Sequence, residues 1–253
     1  MRLRCGVREA ECRLVIVDKD GTLIDFPSLW VPVVRARARF IVEEAGADAT
    51  LEPALLRAFG YDPDRERIDP HGPLAIAPRS ETTIIGATLL YGAGLAWEDA
   101  VAAVHRAYGR ADQAVDPLRL ARAVPGIDVA LRRLRAAGAR LAVGTTDATG
   151  QAVRGLRALG MAELFDAILG ADGVTRPKPH PEMVHRLCET VGVAPAEAVV
   201  VGDAVADVQM GREAGVALTV GVLTGVTAAA DFGGYADVVL ASLADIVPAT
   251  TGG

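Results

Sequence analysis

The sequence predicts an α/β fold: a doubly wound parallel sheet carrying an inserted all-helical domain. Three observations predict it. Short apolar runs of strand length, at 14–17, 140–144 and 198–202, each lead directly into polar residues. From residue 126 onward such runs alternate with amphipathic segments of helical length, the pattern of a parallel sheet with helices on both faces. Between the first run and this alternation lies a long segment, 27–116, with helical periodicity. The core is therefore assigned to residues 1–26 and 117–253, and the insert to 27–116.

The elements follow in order. Leu14-Val15-Ile16-Val17 is apolar throughout, as a strand buried on both faces must be. Ser28 can cap a helix running through Val33, Val34, Phe40, Ile41 and Val42 to Gly46. A short helix covers 51–59, a polar loop broken by Pro63, Pro70 and Pro73 covers 61–79, Ser80 can cap a helix reaching Tyr91, and a fourth helix spans 97–108. After Pro125-Gly126 come helix 127–137, strand 140–144, helix 149–159, strand 166–169, helix 181–191, strand 198–202, helix 205–214 and strand 216–220. A strand at 237–240 and a short helix close the fold.

Bulk properties narrow the function. The net charge is -6 with no basic stripe, which argues against nucleic acid as a partner. No apolar stretch approaches a membrane span and no signal peptide is visible. Cys5, Cys12 and Cys188 are odd in number and lack metal-ligand spacing, as expected of free thiols in a cytoplasmic protein. The chain holds 24 arginines and only two lysines, Lys19 and Lys178. A lysine kept against such a bias suggests a site that needs a compact ammonium, not a planar fork.

The chemistry-bearing residues collect after strands. Asp18 and Asp20, in Asp18-Lys19-Asp20-Gly21-Thr22, follow the first strand, and Gly21 lets the chain turn sharply. Two carboxylates this close resist joint ionisation and call for a cation or a shared proton. That fits metal-assisted phosphoryl transfer, or a carboxylate nucleophile paired with a carboxylic acid; an Asp-Gly turn with solvated acids is the plain alternative. Thr145, Thr146 and Asp147 follow the strand ending at Gly144. Lys178 sits between Pro177 and Pro179. Asp203 follows Val199-Val200-Val201-Gly202, and Asp207 lies one helical turn on, on the same face. Singly, Thr145 or Asp147 reads as a helix cap and Asp203 and Asp207 as acids complementing a helix dipole. Together, at the carboxyl ends of successive strands, they read as one site.

This pattern resembles the haloacid dehalogenase-like (HAD) hydrolase superfamily. Its four motifs match, in order, Val17 to Thr22, Thr145, Lys178-Pro179, and Gly202-Asp203 with Asp207. The resemblance implies a Rossmann-like core with a helical cap, and Mg²⁺ as cofactor. By it, Asp18 is the nucleophile and Asp20 the general acid and then base. Thr145 and Lys178 are the remaining catalytic groups, stabilising the phosphoryl oxygens. Asp18, Asp20 (through its backbone carbonyl), Asp203 and Asp207 serve the metal. Thr146 stands where relatives often carry Asn, so its substrate-binding role is a departure. Lys19, at a variable position, is expected to turn away from the metal. The physics agrees: a carboxylate cannot approach a phosphate dianion unless a cation and an ammonium offset the charge.

Within the superfamily, Asp20 argues against dehalogenation, and the absence of lysine from 27–116 argues against a Schiff-base phosphonatase. What remains is a phosphatase acting on a small phosphorylated metabolite and resembling the phosphoglycolate phosphatases, as monomer or homodimer, or else a sugar phosphomutase. A phospho-Asp receiver or phosphate-binding module is the reading from another class. Arg79, with His71 and Arg35, is the cap candidate for gripping a carboxylate or sugar hydroxyl.

Overall fold

A computed structural model describes residues 1–249 of the chain. It divides into two compact units, one made of residues 1–26 and those from 121 onward, the other of Pro27–Leu120. In chain order, a hairpin of β1 (Arg2–Cys5) and β2 (Arg8–Glu11) precedes β3 (Leu14–Val17). The second unit is built from α1 (Phe26–Ala45), α2 (Leu51–Ala58), β4 (Tyr61–Asp62), β5 (Arg67–Ile68), α3 (Pro73–Ile76), α4 (Arg79–Gly92), α5 (Trp97–Ala114) and α6 (Pro117–Leu120). The first unit resumes with α7 (Ile127–Ala136), β6 (Arg140–Gly144), α8 (Thr149–Ala158), β7 (Ala167–Leu169), α9 (Glu182–Val191), β8 (Ala198–Gly202), α10 (Val205–Glu213), β9 (Leu218–Val222), β10 (Val238–Leu240) and β11 (Ile246–Pro248). Among the described residues no helix is long and apolar enough to cross a membrane.

The first unit is a six-stranded parallel sheet in the order β10-β9-β8-β3-β6-β7. Every residue of β3 and β8 is buried, as strands covered by helices on both faces require. On one face Leu14, Ile16 and Val200 pack against Met183, Val184 and Leu187 of α9 and Met210 of α10. Each such buried side chain contributes about 1.5–3 kcal/mol relative to exposure. The second unit has its own core, where Val34 and Ile41 of α1, Leu55 and Phe59, and Val104 and Tyr108 of α5 meet. Gly86 on α4 lets that helix close on α5: a β-carbon there would stand 3.2 Å from Val104.

Several details differ from the sequence reading. A second sheet, antiparallel in the order β11-β1-β2, was not foreseen. β1 and β2 are four-residue strands rich in Arg and Glu, and β2 has no buried residue, so neither carries an apolar run. Strand 216–220 lies at 218–222, two residues later. α1 and α4 start ahead of Ser28 and Ser80, beside Pro27 and Pro78, whose fixed φ suits a first turn. The loop 61–79 contains the two-residue ladder β4–β5 and the short α3.

Candidate active site

The chain moves from β3 to β6 and β7 on one side, then crosses to β8 and continues to β9 and β10 on the other. Open α/β sheets hold ligands at such a reversal, beyond the carboxyl ends of the strands. Val17 is in register with Val143 of β6 and Val201 of β8, so the loops after these three strands leave the sheet side by side. The Asp18 N–H donates to the Val201 carbonyl at 2.9 Å, fixing the first loop against β8.

Asp18, Asp203 and Asp207 each bring a carboxylate oxygen into a cluster whose atoms lie within 4.8 Å of one another. Lys178 closes it. Its Nζ donates to Asp18 Oδ1 at 2.6 Å and to Asp207 Oδ1 at 2.7 Å, with the lysine side chain only 3% exposed. Three carboxylates against one ammonium leave two negative charges in excess. Burial pushes the Asp203 carboxyl well above its usual range, and the charges of Asp18 and Asp207 push it further. Burial lifts Asp207 to about 6 even though Lys178 pulls it down. Burial works against the Lys178 ammonium, but Asp18 and Asp207 outweigh it and hold the ammonium above its ordinary value. Three carboxylates gathered around one ammonium mark a site short of positive charge.

A hard divalent cation suits that deficit. Mg²⁺ takes few carboxylates together with water and phosphate oxygens, and Asp18, Asp203 and Asp207 offer the carboxylates of such a set. The backbone is shaped around the same acid. A β-carbon at Gly21, whose φ is +89°, or at Gly225 would overlap the Asp203 carboxylate. Thr22 Oγ1 donates to Asp203 Oδ1 at 3.3 Å, and Thr224 Oγ1 donates to the Gly21 carbonyl at 2.6 Å. The loop after β9 is thereby tied to the loop after β3.

Asp20 stands outside that carboxylate cluster. Its Oδ1 accepts from Lys19 Nζ at 2.5 Å, and Lys19 also pairs with Asp147 Oδ2 at 3.2 Å. Burial raises Asp20 to about 6; Lys19 pulls it down and Asp147 pushes it up. Burial works against the Lys19 ammonium too, yet Asp20 and Asp147 keep it above its usual value. Thr145 is 2% exposed. Its Oγ1 accepts from the Asp147 N–H at 3.2 Å, which leaves the hydroxyl hydrogen able to donate. Thr146 is exposed.

The cap candidates lie in the second unit. Arg79 is paired with Asp112 at 2.6 Å and lies over the Tyr108 ring, 5.0 Å from its centroid. Arg35 donates to the Tyr61 hydroxyl at 2.9 Å, and the His71 backbone N–H donates to Asp69 Oδ1 at 2.9 Å. Sequence reasoning missed Lys19 as a partner of Asp20 and Asp147, and missed Thr224 and Gly225 altogether. A threonine and a glycine just beyond a strand end would have been the signal for Thr224-Gly225, hidden because the strand was placed two residues too early.

Comparison with known proteins identifies the family and agrees with the fold. A family model described as haloacid dehalogenase-like hydrolase matches residues 12–215. Probable phosphatase IndB of Dickeya dadantii (strain 3937) is 30% identical over 217 residues, covering 84% of this chain and 82% of that protein. The plasmid-borne phosphoglycolate phosphatase of Cupriavidus necator is 28% identical over 205 residues, covering 81% and 78%. Among solved structures, a predicted phosphoglycolate phosphatase from Haemophilus somnus 129pt superposes with a TM-score of 0.67 at 25% identity, over 92% of this chain and 96% of that one.

Proposed function

The chain belongs to the haloacid dehalogenase-like hydrolase family, and we propose that it is a Mg²⁺-dependent phosphatase that cleaves a small phosphomonoester through an aspartyl-phosphate on Asp18. The observation that carries this reading is Lys178 Nζ, 2.6 Å from Asp18 Oδ1 inside a cluster of acids short of positive charge. Bound Mg²⁺, held by Asp18, Asp203, Asp207 and the Asp20 backbone carbonyl, would screen the carboxylates and the phosphate dianion from each other.

The residues divide the work. An Asp18 carboxylate oxygen attacks phosphorus, and the bond from phosphorus to the alcohol oxygen breaks. Asp20, lifted to about 6 by burial, gives its proton to that leaving oxygen. The same carboxylate then takes a proton from a water attacking the phosphorus, the bond to Asp18 breaks, and inorganic phosphate leaves. Lys178 stabilises charge on Asp18 and the phosphoryl group, and the Thr145 hydroxyl donates to a phosphoryl oxygen with Thr146 beside it.

Water is assigned as the final acceptor, in preference to the second hydroxyl a sugar phosphomutase would use, because the relatives described above are named as phosphatases. The phosphoglycolate phosphatase among them makes a small acidic phosphoester the first substrate to try. We assign choice of the carbon skeleton to the inserted helical unit, with Arg79 as its guanidinium. The buried thiols Cys5, Cys12 and Cys188 are free, which suits a cytoplasmic enzyme. The test is phosphate release from a panel of aryl and metabolite phosphates with Mg²⁺ or with chelator. Release in Mg²⁺ alone is expected; no release from any member contradicts the reading.

A further inference from the structure

The two lysines of this chain are used alike: each has a buried side chain, and each joins two aspartates. Lys178 belongs to the metal and phosphate chemistry. Lys19 lies at 3% exposure with Asp20 on one side and Asp147 on the other. A buried ammonium is costly unless its charge and its N–H groups are matched, so Lys19 is held where these two acids place it.

Its backbone is fixed as firmly. The Lys19 carbonyl accepts from the N–H groups of Leu23 and Ile24, both at 2.9 Å. On the other loop, the Asp147 N–H donates to Thr145 Oγ1 at 3.2 Å, and the Asp147 carbonyl accepts from the Ala171 N–H at 2.9 Å. Lys19 is therefore a strut between two anchored loops, those after β3 and β6. Its effect on Asp20 is directional. Asp20 Oδ1 is committed to Lys19 Nζ at 2.5 Å, while Oδ2 accepts no hydrogen bond from any described residue. One oxygen is tied down and the other is presented.

We propose that Lys19, braced by Asp147, is a positioning residue that aims Asp20 Oδ2 at the leaving oxygen of the phosphoester. Oδ2 is then the atom that carries the proton to the alcohol as its bond to phosphorus breaks, and that takes one from water in the second half-reaction. This rests on the proposed acid role of Asp20, and it goes beyond it by naming the oxygen and the residues that orient it. A misaimed general acid still leaves Asp18, Lys178 and the metal ligands in place, so the loss must depend on how much the leaving group needs a proton.

The experiment compares kcat/KM for p-nitrophenyl phosphate, whose leaving group departs unprotonated, with benzyl phosphate, whose alkoxide does not. Wild type, Lys19→Met, Asp147→Asn and Asp20→Asn are measured in the intact chain. A positioned general acid contributes about 10²–10⁴-fold where protonation matters. Lys19→Met is expected to lose about 10²-fold on benzyl phosphate and less than about 10-fold on p-nitrophenyl phosphate, with Asp20→Asn showing the same selectivity more strongly. Asp147→Asn keeps the lysine and is expected to show a weaker selective loss, so it carries the test should Lys19→Met fail to fold. Equal losses on both substrates, or none, overturn the positioning role. A wild type inert toward both overturns the phosphatase reading itself, and an active wild type with a non-selective Asp20→Asn overturns the acid role on which the inference stands.

Discussion

Gly225 stands so close to the Asp203 carboxylate that a β-carbon on it would overlap that side chain. The backbone of the loop after β9 is thus the wall against which the acid proposed as a metal ligand rests, and Thr224 fastens the same loop to Gly21. Gly225→Ala is expected to push Asp203 out of place and raise the Mg²⁺ concentration for half-maximal activity by about 10–100-fold, the usual effect of disturbing a ligand's support. A titration of activity against Mg²⁺ checks it, and an unchanged midpoint contradicts it.

Lys178 offsets charge on Asp18 and Asp207 inside the fold. Replacing it by Met removes the one ammonium of the cluster and leaves its buried acids facing each other. The expected loss is about 3–5 kcal/mol of unfolding free energy near neutral pH in chelator. The deficit should shrink at pH 5, where Asp207 can take up a proton. Urea unfolding of the variant and wild type at the two pH values measures this. A deficit that does not change with pH contradicts the charge argument.

How far the sequence could be read follows from what each residue contacts. Asp18, Lys178, Asp203 and Asp207 were legible because each sits at or just beyond a strand end or in a proline-flanked loop, and strand ends are set by apolar runs that a sequence displays. The spacing of Asp203 and Asp207 suggested one helix face, but Asp203 precedes the cap of α10, so the two acids meet through the loop after β8 and the first turn of the helix. Lys19 was harder: its neighbours at 18 and 20 are visible, but its bond to Asp147 depends on β6 lying beside β3, which is a tertiary fact. Thr224 and Gly225 were lost to a strand boundary set two residues early. β1 and β2 were lost because four-residue strands with charged side chains carry no apolar run.

The raised acids make stability depend on pH and metal together. Asp20 and Asp207 titrate at about 6 in the folded protein, above the ordinary carboxylate value of 3.8. Between those values the folded chain binds more protons than the unfolded one, so without metal its stability falls as pH rises through that window and levels off above it. Mg²⁺ bound as proposed would compete with protons for the Asp203–Asp207 cluster. The gap in Tm between Mg²⁺ and chelator is therefore expected to be wider at pH 7.5 than at pH 5. A gap of equal size at both contradicts the assignment of these acids to a cation.

The proposed covalent step is open to capture. During turnover of p-nitrophenyl phosphate in Mg²⁺, rapid quenching followed by borohydride reduction converts a phosphorylated aspartate to homoserine, which peptide mass mapping locates. The prediction is homoserine at residue 18 and nowhere else, dependent on Mg²⁺ and absent from Asp18→Asn, which should also lose at least about 10³-fold in turnover. Homoserine at another aspartate, or an Asp18→Asn protein that turns over like wild type, would contradict the central claim that Asp18 carries the phosphoryl group.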